Sequence, residues 1–562
     1  MEKVLEIRKC TACWTEFEIT DKDIKFFQNI SPVFNGQRYD IPVPVHCSDC
    51  RQQRRLAWRN ERKLYKRVCD ATWKNLISIF SPDKPYKVYH QDEWWSDKWD
   101  AKSYWREYDF SKTFNSQFGE LLRDVPKLWI LVSQNENSDY TNGSAFNKNC
   151  YLIFASDHNE DCWYCDNIFR CKDCYDCSDV NDSVFLHESV WCNWCTNWEK
   201  LFDCHNCTEC MYCFDCRDCS DCFLCSNLRN KSFHFMNEQL SKEKYIEKVS
   251  EYLAKPRKVI LQDFDNLRMK SIHLYLHWIS NENCYWDYIT NCKDSANVYS
   301  VNNLRDCKNI INWNWATDCQ DGYVIVDDSS LVFDSVSIIW LTKWAFNFGC
   351  LHGSSDAYYT YLCQSIKNCF GCDWLKNSSY CILNKQYTKE EYEELVPKII
   401  EQMKKDWEWW RFMSPEIAFY WYNETVSNEY YPISNEVALK KGFKWSDYEN
   451  PTPDVSKIIP ASKLPDNIAE IPDDIVNWAI ECEVSGKPFR ITKSELEYYR
   501  KRQISIPKKH PDVRHSERQT WKNAKRIHAR NCNKCWVAIK STFAPQRLEK
   551  VYCEKCYQTE VI

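Results

Sequence analysis

Eight cysteines stand in pairs whose spacing could hold metal. Near the N-terminus, Cys10 and Cys13 are followed by Cys47 and Cys50; near the C-terminus, Cys532 and Cys535 are followed by Cys553 and Cys556. A Cys-x-x-Cys turn sets two thiolates on one side of an ion, and two such turns close a tetrahedron. Zn2+ suits an all-sulfur cage because it is borderline-soft and imposes no geometry of its own. Four sulfur ligands leave no open position. The two expected Zn2+ ions are therefore structural, and each should supply about 10 kcal/mol of its ribbon's apparent folding energy.

A third ribbon is legible in decayed form. Cys10-TA-Cys13-WTE-Phe17 aligns with Cys482-EV-Ser485-GKP-Phe489, and Cys47-SD-Cys50-Arg51 with His510-PD-Val513-Arg514. Ser485 and Val513 are not zinc ligands, so this copy is expected to fold without metal on Phe489, Ile491, Leu496 and Tyr499. Cys482 and His510 would make at most a weak two-ligand site.

In both copies a basic segment follows the last ligand position. Residues 51–67 hold eight Lys or Arg and one acid, a net of +7; residues 500–530 hold eleven against two, a net of +9. Arg51, Arg54, Arg55, Arg59, Arg62 and Lys66 recur at helical spacing, as do Arg514, Arg518, Lys522, Lys525, Arg526 and Arg530. The spacing predicts two basic helices. One reading lays Arg51, Arg54, Arg55, Arg59, Arg62, Lys66, Arg514, Arg518, Lys522 and Arg526 against the phosphates of RNA or DNA. The other pairs them with acidic patches on the protein itself.

Those patches lie in the middle of the chain. Residues 151–225 carry fifteen Asp or Glu against four Lys or Arg, and from Cys204 to Cys225 every third residue is cysteine. A three-residue period fits neither a strand nor an α-helix. It fits a narrow coil of four three-residue sides, each turning inward on a thiol small enough for a thin core. Asp-Cys pairs repeat at a step of twelve. Residues 222–245 match residues 369–392 at 11 of 24 positions with a constant offset of 147. The array is therefore expected twice, the second copy looser and wider, running from about Asn283 to Cys381 and including Cys350. Each should close with a helix, from Ser241 and from Thr388; Thr388 and Glu391 form a capping box and Pro397 should kink the second helix. The alternative is a metal-handling ladder that binds Zn2+ or Cu(I).

The expected fold is mainly β with some α, a duplicated parallel β-solenoid capped by helices and flanked by zinc-ribbon or treble-clef modules. The divisions are 1–75 (ribbon with basic helix), 76–140 (aromatic-rich junction), 141–257 and 258–413 (the two solenoids with their helices), 414–478 (connector), 479–531 (degenerate ribbon) and 532–562 (C-terminal ribbon). The aromatics of the junction read as core more than as a stacking platform. Nine glycines in 562 residues argue against phosphate-cradling loops. There is no HExxH, GxGxxG or GxSxG motif, and His273 and His277 read as core or surface residues. With no apolar leader at the N-terminus, no run of 18 apolar residues and 35 cysteines, a reducing cytoplasm is expected.

The segments CTACWTEFEIT, CSDCRQQRRLAWRNERKLYKR, WWSDKWD, the cysteine ladder and YCEKCY resemble a family of large, cysteine-rich, zinc-ribbon-containing proteins of small-genome uncultivated bacteria. That resemblance implies an intracellular bacterial protein with zinc at the two intact four-cysteine sites, and it implies no activity. The expected function is a non-enzymatic zinc-binding scaffold or adaptor that contacts RNA or DNA, with the acidic face open to a protein partner. The alternatives are the metal-handling protein and a β-solenoid carbohydrate-active enzyme.

Overall fold

In the computed structural model, residues 2–284, 286–326, 329–341, 347–348 and 351–562 are described. Helices and strands are both abundant. No helix among the described residues is long and apolar enough to cross a membrane. All the described cysteines are free thiols.

The cysteine-rich middle pairs with itself in parallel at a twelve-residue step. Asp166–Phe169 lies beside Ser178–Asn181, which lies beside Val190–Asn193, and Ser220–Phe223 lies beside Ser232–Phe235. Single parallel bridges carry the same step from Glu136 to Arg229. Every third residue holds a left-handed backbone, including Asp161, Tyr164, Asp173, Asp176, Asp203, Asp215 and Asp218. Each precedes a cysteine that points inward. Asp and Asn tolerate this conformation better than other non-glycine residues, which explains the recurring Asp-Cys and Asn-Cys pairs. The core is almost wholly sulfur, joined by Ile153, Ile168, Val180, Leu186 and Leu201.

Each thiol has a backbone acceptor on its own turn of chain and usually another on the next. Cys213 Sγ donates to the carbonyls of Met211 at 3.3 Å and Cys222 at 3.5 Å; Cys204 Sγ does so to Phe202 at 3.5 Å and Cys213 at 3.5 Å. Asn147 and Asn159 continue the ladder with amide-to-amide bonds at twelve-residue spacing.

The second array uses longer strands, such as Ala296–Arg305 and Lys308–Thr317. It is not wider. Its register is again mostly twelve, with a step of eleven from Trp278 to Ile289 and of thirteen from Gln320 to Phe333 and from Leu341 to Ser354. Val298, Ile310 and Val332 take places that thiols hold in the first array, and the period survives. Cys350 lies outside the described residues.

Both arrays end alike, 147 residues apart. A parallel strand turns into a short antiparallel one (Ser232–Phe235 to Glu238–Gln239, Ser379–Ile382 to Lys385–Gln386), and a helix follows, Lys242–Leu253 or Lys389–Lys405. Thr388 and Glu391 form the expected capping box. Pro397 lies within the helix, which continues to Lys405. A proline has no N–H for the carbonyl four residues back, and the Asn35 side chain supplies that donor to Glu393 O at 3.1 Å.

The two basic segments are only partly helical. The first helix spans Ser48–Leu56. It stops where Trp58 turns fully inside against Phe412 and Phe419, and where Asn60 holds Lys63 N–H and the Ile79 carbonyl in a turn. Lys66 then stands on a strand, Tyr65–Val68. The second helix spans Pro511–Trp521; Lys522 is its extended C-cap, and Arg530 lies in the strand His528–Asn531. Of the junction aromatics, Tyr86, Trp94, Phe114 and Phe118 are buried in one core with the second array, while Trp95, Trp105 and Phe110 are exposed.

Candidate metal centres

Each four-cysteine site is built from a hairpin knuckle and a helix start. Val4–Lys9 pairs with Glu16–Thr20, and between them Cys10 N–H bonds Thr15 O at 2.9 Å while Trp14 N–H bonds Cys10 O at 2.9 Å. Cys47 is the N-cap of the helix that carries Cys50. The C-terminal site repeats this. Cys532 N–H bonds Val537 O at 2.9 Å, Trp536 N–H bonds Cys532 O at 3.0 Å, and Cys553 caps the helix Glu554–Val561. In each quartet all four sulfurs lie within 4.8 Å of one another. Cys13 and Cys47 stand 3.6 Å apart, and Cys535 and Cys553 stand 3.7 Å apart. A tetrahedron with Zn–S bonds of about 2.3 Å has edges of about 3.8 Å, so both quartets could hold such an ion.

One thiol in each quartet, Cys47 and Cys532, is drawn toward the thiolate, while Cys50, Cys553 and Cys556 are pushed the other way. Cys47 is pulled down to about 5, first by the hydrogen bond from the Cys50 thiol and further, against burial, by the Cys50 backbone N–H and the thiols of Cys13 and Cys10. At Cys532 burial opposes ionisation, but N–H groups of Cys535, Cys553 and Lys534 prevail and bring it to about 6.

The same knuckle occurs twice more. At the degenerate ribbon, Cys482 N–H bonds Lys487 O at 3.1 Å and Gly486 N–H bonds Cys482 O at 3.0 Å. Phe489, Ile491, Leu496 and Tyr499 are buried there as expected. Cys482 Sγ accepts the Ser485 N–H at 3.4 Å, while His510 spends Nδ1 on the Asp512 N–H at 3.1 Å as the helix N-cap. The fourth knuckle was not recognised in the sequence. Cys69 N–H bonds Lys74 O at 2.9 Å, Trp73 N–H bonds Cys69 O at 2.9 Å, and His90 caps the helix Gln91–Trp94 while giving its N–H to Cys69 Sγ at 3.4 Å. Its signal was present: Cys69-x-x-Thr72-Trp73 repeats Cys10-x-x-Cys13-Trp14 and Cys532-x-x-Cys535-Trp536. Among the described residues, only the two intact quartets gather three or more Cys, His, Asp or Glu ligand atoms at this range. The ladder does not; burial pushes Cys165, Cys174 and Cys177 up, whereas hydrogen bonds from neighbouring thiols draw Cys207 and Cys216 down.

The basic side chains turn into the protein. Arg51 makes a bidentate pair with Asp321 at 3.0 Å, and Arg55, fully buried, reaches Asp334 at 2.5 Å. Arg54 donates to Phe412 O at 2.5 Å, Arg59 pairs with Glu61 beside the ring of Tyr323, and Arg62 covers Phe154. On the other side Arg514 and Arg518 share Asp176, the latter at 2.7 Å. Lys522 joins Asp166 and Asp179, and Arg526 pairs with Asp49. Of the ten residues set against nucleic acid, only Lys66 and Arg526 are exposed. The receiving carboxylates of Asp176, Asp179, Asp321 and Asp334 all sit on left-handed residues of the arrays.

These contacts are equivalent in pairs. Arg51 and Arg55 of the first ribbon occupy the aligned places of Arg514 and Arg518, but the first pair grips the second array and the second pair grips the first. Trp94, four residues after His90, receives Lys376 at 4.5 Å; Tyr557, four after Cys553, receives Arg229 at 5.9 Å. Arg229 and Lys376 are 147 residues apart.

The chain matches no protein-family model and no curated protein.

Proposed function

We propose that this protein is a non-enzymatic scaffold in which two Zn2+ ions staple paired hairpin modules onto a duplicated, cysteine-cored solenoid. The carrying observation is that the basic helices of the first and third modules bury their arginines in carboxylates of the arrays. The twelve-residue register, the left-handed residue at every third position and the inward thiols support a solenoid of four short sides. The thiols' bonds to backbone carbonyls support a structural ladder over a metal store. Zinc is favoured by the all-sulfur donor sets and their edge lengths.

Metal analysis of the purified, reduced protein tests this reading. Two zincs per chain are expected, falling to one in Cys535→Ser. Four or more bound ions, or Cu(I) retained by the Cys535→Ser/Cys13→Ser double variant, would overturn it in favour of metal handling.

A second reading rests on the knuckle tips. Trp14, Trp73 and Trp536 are 76%, 80% and 74% exposed and all have φ near +60°. A stacked base covers such a ring well, so single-stranded RNA or DNA would be held by these tryptophans, not by the arginines. Titration of oligonucleotides against the Trp14→Gly/Trp73→Gly/Trp536→Gly variant checks it; unchanged affinity rejects it.

A further inference from the structure

Where the N-terminal module meets the end of the second array, the fold leaves a cavity of about 180 Å3. Three elements enclose it: the hairpin strand Val33–Phe34, the array residues Asp356, Tyr358 and Tyr380, and Tyr392 with Glu393 on the capping helix. Four of its nine lining residues are aromatic, and these meet edge to face. Phe34 meets Tyr358 at 6.2 Å and 65°, and meets Tyr392 at 6.1 Å and 64°; Tyr380 meets Tyr392 at 5.7 Å and 69°. These rings, with Pro32, Val33 and Asn368, form a small box. Two carboxylates, Asp356 and Glu393, stand at it. Glu393 has an outer partner in Lys389 at 3.8 Å. Tyr392 is 1% exposed, yet its hydroxyl has no hydrogen-bond partner.

The cavity is not a by-product of the repeat. Shifted back by 147 residues, its array and helix positions become Glu209, Met211, Phe233, Tyr245 and Ile246. The ring pair survives as Phe233 and Tyr245 at 5.9 Å, but the second carboxylate is lost. The degenerate ribbon also has a shorter connection between its two half-sites, 24 residues from Ser485 to His510 against 33 from Cys13 to Cys47. The array that meets the hairpin Val33–Arg38 is the one that carries the box.

We infer that this box binds a methylated ammonium group, free or on a lysine side chain. Aromatic faces attract a diffuse cation through their quadrupoles, and nearby carboxylates add Coulomb attraction without demanding a directional hydrogen bond. A cavity of this size suits one compact organic group with room to spare for water.

Calorimetric titration of the zinc-loaded full chain with choline, a trimethyl-lysine peptide and the neutral isostere 3,3-dimethylbutanol tests this. At least one cation is expected to bind about tenfold more tightly than the neutral compound. Which of the two binds identifies the source. Tyr380→Ala and Glu393→Gln, both at half-buried positions, should each weaken binding about fivefold or more while zinc content stays at the wild-type value. Absence of binding at about 1 mM, equal affinity for the neutral isostere, or wild-type affinity in both variants overturns the inference.

Discussion

At the scale of single residues, the knuckle tryptophans are exposed side chains held on a left-handed backbone. A left-handed backbone at a non-glycine residue costs about 1–2 kcal/mol, and Gly486 at the equivalent tip, φ +67°, avoids that cost. Trp73, 80% exposed, recovers little of it through packing. Trp73→Gly is therefore expected to raise stability by about 1 kcal/mol in urea denaturation. A loss of stability would show that the indole packs on something in solution. The ladder thiols follow the opposite rule. Each is buried, bonded to carbonyls and small enough for a thin core, so side-chain size and hydrogen bonding select cysteine without any call for reactivity.

At the scale of elements, the helix Ser48–Leu56 is fixed by a buried charge pair. Arg55→Met leaves Asp334 without its 2.5 Å partner in a dry site. We expect a loss of about 3–5 kcal/mol, largely regained in Arg55→Met/Asp334→Leu, since removing both partners removes the orphan charge. Chemical denaturation of the two variants checks this, and equal losses in both would refute it. The helix Lys493–Arg502 is fixed differently. Glu495 is wholly buried, caps its own helix at Thr492 and accepts the Tyr164 hydroxyl at 2.9 Å from the first array. Burial pushes its carboxyl up to about 7 from 4.5, against the pull of Arg514. The folded state thus keeps a proton that the unfolded chain releases. Its contribution is fully present below pH 4.5 and is lost as pH rises to about 7, by about 3 kcal/mol. Glu495→Gln should flatten the stability profile across that window, measured by urea melts at several pH values.

At the scale of the molecule, one histidine ties three parts together. His277 bonds Asp203 of the first array through Nε2 at 2.9 Å and Asp287 of the second through Nδ1 at 2.8 Å, and Asp287 also accepts from Thr542 of the C-terminal module. Burial alone would lower the imidazole, but the two carboxylates hold it well above its ordinary 6.5. It is charged at neutral pH, and its contribution is complete below pH 6.5 and fades only as pH climbs through the raised value. His277→Leu abandons two buried carboxylates, so a loss of about 3–5 kcal/mol is expected. Thermal unfolding at pH 6 and pH 9 should show a large deficit for the variant at the lower pH and a smaller one at the higher. A constant deficit would mean that His277 acts by shape alone.

Much of this was legible in the residues. Cys-x-x-Cys spacing defined both quartets because a knuckle is a local structure, closed within six residues by its own backbone bonds. The twelve-residue step was nearly as local, and the 147-residue offset matched the ends of the two arrays, with the helices that follow them and the Thr388 capping box. The fourth knuckle at Cys69 was written in Cys-x-x-Thr-Trp and missed because it keeps only one cysteine. What periodicity misjudged was the basic segments. Helical spacing of charge continued past Leu56 and Trp521, but Trp58 found a better place inside the core and Lys522 reached for Asp166 and Asp179. Whether those arginines faced solvent or the chain could not be read from spacing, since their carboxylates lie hundreds of residues away. Only the tertiary structure brings Arg51 to Asp321, Arg518 to Asp176 and Phe34 to Tyr392, because buried charge and packed rings are settled by what surrounds a side chain and not by what precedes it.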